Sequence, residues 1–224
     1  MAFRVVIPIF DQVTQLDFTG PAQMFAKVPG LELCVAAQDA QPVETDSGFA
    51  VAAPYTFADC PAADLVCVPG GAGVMDAIRD PYFLSFVERQ CRQAQYITSV
   101  CTGLFALGAL GLVKGRRVTS HWGYTDVIAD CGGVFTEGRV VVDGNLITAG
   151  GVTSGVDFSL TVISEVFGEE TARLIQLAME YNPAPPFDSG HPSTAEAQTL
   201  ADAQKIYAKR AQDMREALRS VKRG

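Results

Sequence analysis

The chain of 224 residues carries 25 acidic against 17 basic side chains, a formal net charge of −8, and 48% of its residues are hydrophobic. That composition suffices for a full core in one α/β domain, and the acidic balance argues against a dedicated nucleic-acid surface, which needs a clustered basic face. No apolar run approaches the span of a bilayer, so a transmembrane helix is excluded, and neither nucleic acid nor membrane is expected as a partner.

Phe3 to Phe10 is a near-continuous apolar run, the pattern of a strand covered on both faces. Gly20 to Phe25 starts or continues a short helix that stops before Pro29-Gly30, and Leu31 to Ala37 reads as the second strand. Residues 42–58 read as short strand and turn pieces. Asp64 to Val68 is another buried strand and ends in Pro69-Gly70-Gly71-Ala72-Gly73. Pro81 opens a helix that runs to about Ala94, since proline is tolerated at a first-turn position. A strand over Tyr96–Val100 meets Cys101, and a helix over Leu104–Leu110 follows at once. Asp143-Gly144, between Arg139–Val142 and Leu146–Ala149, is a hairpin-turn signal. From Ser154 a helix carries Val156, Leu160, Ile163 and Phe167 as an expected core-facing stripe and ends at Gly168. This alternation predicts an open, mostly parallel sheet with helices on both faces.

The character changes after Tyr181. An α/β domain is expected over 1–181, and over 182–224 a stiff connector, Pro183-Ala184-Pro185-Pro186, followed by a helix from about Ala195 to Val221. Leu200, Tyr207, Met214 and Val221 recur every seven residues with Ala211 and Leu218 beside them. Such a stripe needs a partner surface, either the domain itself or a second subunit. The basic residues of that helix are interleaved with Asp202, Asp213 and Glu216, which reads as a solvated face.

The N-terminus enters a strand without a signal peptide's cleavage region, so a cytoplasmic location is expected. The six cysteines, at 34, 60, 67, 91, 101 and 131, are scattered through a chain large enough to need no staples, and read as free thiols. With no C-x-x-C pair and only His121 and His191, no metal site is expected.

Cys101 is the most informative residue. A buried strand, small residues at Ser99 and Gly103 and an immediate helix give the strand–turn–helix context of a nucleophile elbow, with sulfur in place of oxygen. A helix N-terminus there favours thiolate; the alternative is a buried structural cysteine. In open α/β sheets, ligands gather at the carboxyl ends of strands. Asp17, wedged between Leu16 and Phe18, follows the first strand, and Gly70-Gly71 follows the strand at 65–68. A carboxyl among apolar neighbours keeps its proton longer, which suits a general acid beside a thiolate; a helix N-cap is the alternative. Gly70 and Gly71 either present N–H groups to an anion-stabilising pocket or make a plain tight turn. Thr102 stands where a base histidine would follow the cysteine, so a Cys-His dyad is disfavoured and low-pKa thiolate chemistry with a nearby acid is expected. His121, beside Trp122, reads as structural.

Together, Val100-Cys101-Thr102-Gly103, Pro69-Gly70-Gly71, Gln15 to Pro21, Thr119-Ser120-His121-Trp122 and Glu180 to Phe187 resemble the DJ-1/PfpI superfamily and, within it, the isonitrile hydratases. The resemblance implies a flavodoxin-like fold, a homodimer and conversion of an isonitrile plus water to an N-substituted formamide, without cofactor or metal. It also implies a thioimidate on Cys101, with Asp17 as acid/base and Thr102 as a third functional position. Thr102 departs from the histidine of peptidase-type relatives, and Asp17 from the glutamate common in DJ-1-type and glyoxalase-type relatives. A glyoxalase-type enzyme and a ligand- or redox-sensing module remain the rivals. The Cys-Thr-Gly and Ser-His-Trp segments also resemble sensor domains of AraC-type regulators, and the expectation is against regulation because the chain ends after one amphipathic helix.

Overall fold

Strands that are mostly apolar and buried form the middle of the molecule, which a computed structural model describes over residues 2–221. In chain order the elements are β1 (Phe3–Pro8), α1 (Gln15–Phe25), β2 (Leu31–Ala37), β3 (Val43–Glu44), β4 (Ala50–Val51), β5 (Tyr55–Thr56), β6 (Leu65–Val68), α2 (Val74–Arg79), α3 (Pro81–Gln93) and β7 (Tyr96–Val100). They continue through α4 (Leu104–Ala109), β8 (Arg117–Val118), β9 (Val134–Phe135), β10 (Val140–Asp143), β11 (Leu146–Ala149), α5 (Ser154–Phe167), α6 (Glu169–Ala178) and α7 (Ala197–Val221). Two 3-10 segments, Cys101–Gly103 and Trp122–Cys131, interrupt them.

The main sheet has the order β10-β11-β7-β6-β1-β2-β5. All pairs are parallel except the β10–β11 hairpin, whose register (Val140 opposite Ala149, Asp143 opposite Leu146) places Asp143-Gly144 at the turn. Strand order reverses at β1, which has β2 on one side and β6 on the other, and the crevice above that reversal is where open α/β sheets hold ligands. β1 stops at Pro8, which has no N–H to donate, although Ile9 N–H still reaches Ala36 O at 2.8 Å. Residues 42–58 resolve into a small β3–β4 hairpin and β5, which adds to the sheet edge beside β2.

Local rules explain the helices the sequence announced. Asp80 caps α3 by accepting from Tyr82 N–H at 2.8 Å, and Pro81 occupies its first turn. Its apolar face (Phe83, Phe86, Val87) is buried, and the one buried amide on that face, Gln90, is satisfied by Ala63 N–H and Pro61 O. α1 begins earlier than the Gly20-Pro21 signal suggests, and Pro21 sits inside it. The α1–α5 packing supports that position: a Cβ on Gly155 would lie 3.1 Å from the Pro21 ring.

One expectation needs correction, and two helices were not anticipated. The buried face of α5 is Gly155, Phe158, Ser159, Val162 and Ile163, whereas Val156, Leu160 and Phe167 are only half-buried. The close contact at Gly155 turns the helix, so that Val156 flanks α1 near Gly20 and Phe167 meets Phe3 edge-on at 5.2 Å. No helix was anticipated directly after Gly168. α6 starts there, with Glu169 and Glu170 favourably placed in its first turn. α2 was likewise not anticipated, because its six residues are too few to show a period.

The C-terminal helix finds its partner surface on its own chain. Ala211, Met214, Ala217 and Leu218 of α7 are buried against α2, α4 and the 122–131 segment. Arg215 bridges Asp126 at 2.6 Å and Asp130 at 3.0 Å.

Candidate active site

Parallel register brings four strand ends together. β1, β6, β7 and β11 are consecutive neighbours, so the segments after them meet: the first turn of α1 with Asp17, the Gly70-Gly71 turn, the Cys101 elbow, and Gly150-Gly151-Val152.

The elbow is strained. Cys101 has φ +56°, a left-handed value that costs a non-glycine residue about 1 kcal/mol or more. Neighbouring groups hold it there: Cys101 N–H donates to Gly150 O at 2.9 Å, and the Ser120 hydroxyl donates to Cys101 O at 2.7 Å. Gly103 is obligatory, since a Cβ there would fall 2.1 Å from Val68 O.

Asp17 is fully buried in the first turn of α1. It caps nothing: Thr14 occupies the N-cap position, and Asp17 Oδ2 accepts instead from Gly70 N–H, fifty-three positions away, at 2.9 Å. Among the described residues Oδ1 has no hydrogen-bond partner. Burial pushes the carboxyl up to about 7, against the opposing pull of Gly70 N–H and the Cys101 thiol. Thr102 lies alongside, its Oγ1 accepting from Gly71 N–H at 3.1 Å. A Cβ on Gly70 would sit 2.5 Å from Thr102 Oγ1 and 2.9 Å from Asp17 Oδ2, so only glycine lets acid, turn and elbow close together. The N–H groups of Gly70 and Gly71 are therefore both engaged in positioning Asp17 and Thr102, and neither stands open to an anion.

The expected low-pKa thiol is not what the structure holds. Burial and the facing Asp17 carboxylate push Cys101 well above the ordinary thiol range, against Val152 N–H and the Thr102 N–H and hydroxyl, which favour the thiolate. The sulfur sits too deep, and too near a carboxylate, for the following turn to prevail; α4 itself has only six residues. The resting pair is a thiol beside a carboxyl that titrates near neutrality.

His121 does not serve as a base to this thiol. Its Nδ1 accepts from Gly123 N–H at 3.1 Å, and burial lowers its pKa to about 4. Sequence reasoning overlooked Val152, Ser120 and Gly150, although Gly150-Gly151 directly after a buried strand was a signal of a loop at a strand's carboxyl end. A cavity of ≈ 560 Å³ opens beside this loop, with Ser120, Gly150, Val152, Ser154, Phe135 and Trp122 on its walls; none of Cys101, Asp17, Thr102, Gly70 and Gly71 lines it. All six cysteines are free, and among the described residues no group of three or more His, Cys, Asp or Glu side chains gathers as a metal site would require.

A model of the DJ-1/PfpI family matches residues 3–165. The chain belongs to the DJ-1/PfpI family. Among its relatives, an isonitrile hydratase of Pseudomonas putida is 46% identical over 205 residues, covering 92% of this chain and 90% of that protein. A solved THiJ/PfpI family protein from Pseudomonas syringae superposes with a TM-score of 0.94 at 35% identity, covering 97% of this chain and 91% of that one. The HTH-type transcriptional regulator GbdR of Pseudomonas aeruginosa is 28% identical over 178 residues, 74% of this chain but 46% of the regulator. The DJ-1/PfpI α/β architecture is thus the one the sequence led us to expect.

Proposed function

We propose that the chain is an isonitrile hydratase in which Cys101 and Asp17 act as one proton-sharing pair. The observation that carries this reading is the fully buried Asp17 carboxyl, tuned to about 7 beside the Cys101 thiol. The 46% identity to an isonitrile hydratase over most of both chains supports the substrate.

The terminal carbon of an isonitrile takes up both a proton and a nucleophile. From the form with Asp17 ionised, the Cys101 S–H proton passes to the carboxylate and on to that carbon as the sulfur bonds to it. R–N≡C plus S–H becomes the thioimidate R–N=CH–S, and Asp17 is a carboxylate again. It then takes a proton from water as the oxygen attacks the carbon, and delivers it to nitrogen. The C–S bond breaks as the sulfur recovers a proton, leaving R–NH–CHO. An acid/base group tuned near the working pH serves both halves. Thr102 accepts from Gly71 and presents its hydroxyl toward the sulfur, stabilising negative charge as it develops. The same reading takes Gly70 and Gly71 as the backbone donors that hold Asp17 and Thr102 in place, residues 1–181 and 182–224 as domain and C-terminal arm, and the protein as a cytoplasmic homodimer.

The test is formamide production from an aryl isonitrile by purified protein. Turnover lost in Cys101→Ala, together with an adduct on slow variants equal in mass to the isonitrile, supports the pathway. No turnover of aryl or alkyl isonitriles by the wild type sinks it, and turnover of methylglyoxal instead would favour the glyoxalase rival.

A further inference from the structure

Two glycines mark where rings press on backbone around the Cys101 loop. A Cβ on Gly151 would lie 2.6 Å from His121 Cδ2, so the imidazole edge rests directly on the peptide between Gly150 and Val152. A Cβ on Gly123 would lie 2.5 Å from the Tyr207 ring, so α7 delivers that ring onto the 122–131 segment. Gly150 in turn accepts the Cys101 N–H at 2.9 Å. Between these contacts the His121 ring is boxed by Tyr207 at 4.6 Å, Trp122 at 5.7 Å and Tyr124 at 5.9 Å between centroids. Nδ1 is fixed by Gly123 N–H, which leaves the ring no freedom to turn away. Arg210, one turn further along α7, lies over the Tyr207 ring at 5.7 Å.

We infer that Tyr207, carried by the C-terminal helix, is a positioning residue for the reaction: it holds His121 against Gly151 and so keeps the Gly150–Val152 backbone on Cys101. This gives the C-terminal helix a task in the active site of its own chain, and it deepens the hydratase reading on which it rests. Val152 N–H faces the sulfur, so slackening the loop removes a hydrogen bond from the charge that develops there. A peptide N–H must sit within a few tenths of an ångström of its best distance to have that effect. The ionisable groups facing Cys101 are Asp17 from α1, Tyr124 from the 3-10 segment and Tyr207 from α7; those facing His121 are Arg210, Tyr124 and Tyr207.

The experiment measures Cys101 alkylation by iodoacetamide from pH 6 to 10, followed by mass spectrometry at that cysteine, with isonitrile turnover in parallel. Tyr207→Ala should displace the whole alkylation curve downward about tenfold, the effect of losing one hydrogen bond to a charged group, with a matching fall in kcat. Tyr207→Phe, which keeps the ring, should restore both. Ile206→Ala, on the exposed side of the same helix, should change neither. Gly151→Ala pushes the loop off the imidazole without touching α7, so it decides the matter if Tyr207→Ala fails to fold. Its cost should shrink in a His121→Ala background, where the space reopens. Wild-type alkylation in Gly151→Ala, or in a folded Tyr207→Ala, overturns the inference. Alkylation responds whether or not isonitriles are substrates, so a failed hydratase reading and a failed positioning role give different results.

Discussion

Cys67 belongs to β6 and Cys101 follows the neighbouring β7, three residues beyond the register partner of Cys67, and under the proposed hydratase reading their differences separate an inert thiol from a nucleophile. Both are pushed up by burial, Cys67 to about 12. Cys67 lies within regular β6, paired with Thr98 of β7, with no exposure at all. Cys101 lies one residue past the end of β7, in left-handed backbone, with Asp17, Thr102 and Val152 N–H around its sulfur. Burial alone gives an inert thiol. In the proposed mechanism, burial with an acid that shares its proton, and a backbone that aims the sulfur out of the sheet, makes a reactive one.

Exchanging the two cysteines for alanine is the strongest way to break the comparison. Cys101→Ala should lower formamide production at least about a thousandfold, as loss of a covalent nucleophile does. Cys67→Ala should leave kcat within about twofold and lower stability by about 1–2 kcal/mol, the cost of a small cavity in a packed core. Denaturant melts read the second effect, and turnover reads the first.

The acid comes next. Asp17→Asn should reduce turnover about a hundredfold or more, since positioned proton transfer contributes on that scale. In the wild type, kcat/KM should rise as pH passes through about 7, where the pair loses its first proton, because the productive form has Asp17 ionised and the thiol protonated. In Asp17→Asn that step should vanish. A rate that falls through pH 7 would contradict the proton route proposed here.

Much of this site could be read along the chain because the elbow and the Gly-Gly turn are local. Small residues around Cys101 and glycines after a buried strand announce tight backbone wherever they occur. The role of Asp17 was half visible: Leu16 and Phe18 forecast its burial, but its partner Gly70 is distant in sequence. The sequence misled on the thiol, since a helix N-terminus can be read from neighbours while desolvation and a carboxylate brought in from α1 cannot. The Val152 N–H left no side-chain signal. The α5 stripe was misplaced for a similar reason: a 3.6-residue period fixes a face, but the contact of Gly155 with Pro21 decides which way the face turns.

Thr102→Val sharpens the picture at a smaller scale. Valine keeps the shape and removes the acceptor for Gly71 N–H, along with the hydroxyl facing the sulfur. A loss of about 1 kcal/mol follows for a half-buried N–H left without its partner. Turnover should fall about tenfold, with the pH step near 7 retained because Asp17 is untouched. If Thr102→Val instead moved that step by a unit, Thr102 would belong to the proton-sharing pair rather than to its support.

The gentlest test asks what the buried acid costs the fold. Asp17 titrates near 3.8 when unfolded and at about 7 when folded, so between these values the native state holds a proton that the unfolded chain has released. Stability therefore falls as pH rises from about 4 to about 7 and is lowest above it. Asn at position 17 can still accept from Gly70 N–H, but its amide N–H groups inherit the position where Oδ1 had no partner. The net gain at pH 8 should be about 2 kcal/mol, with the slope between pH 4 and 7 flattened. Asp143 gives the opposite control. Arg117 N–H and the Arg116 side chain hold its carboxyl below the usual range, so its stabilisation is present above about pH 4 and is lost as pH falls further. Denaturant melts of wild type, Asp17→Asn and Asp143→Asn across pH 3–8 should show the two slopes with opposite signs. An Asp17→Asn protein less stable than wild type at pH 8 would mean that the carboxylate is welcome in its pocket, and the argument for its tuned proton would fall.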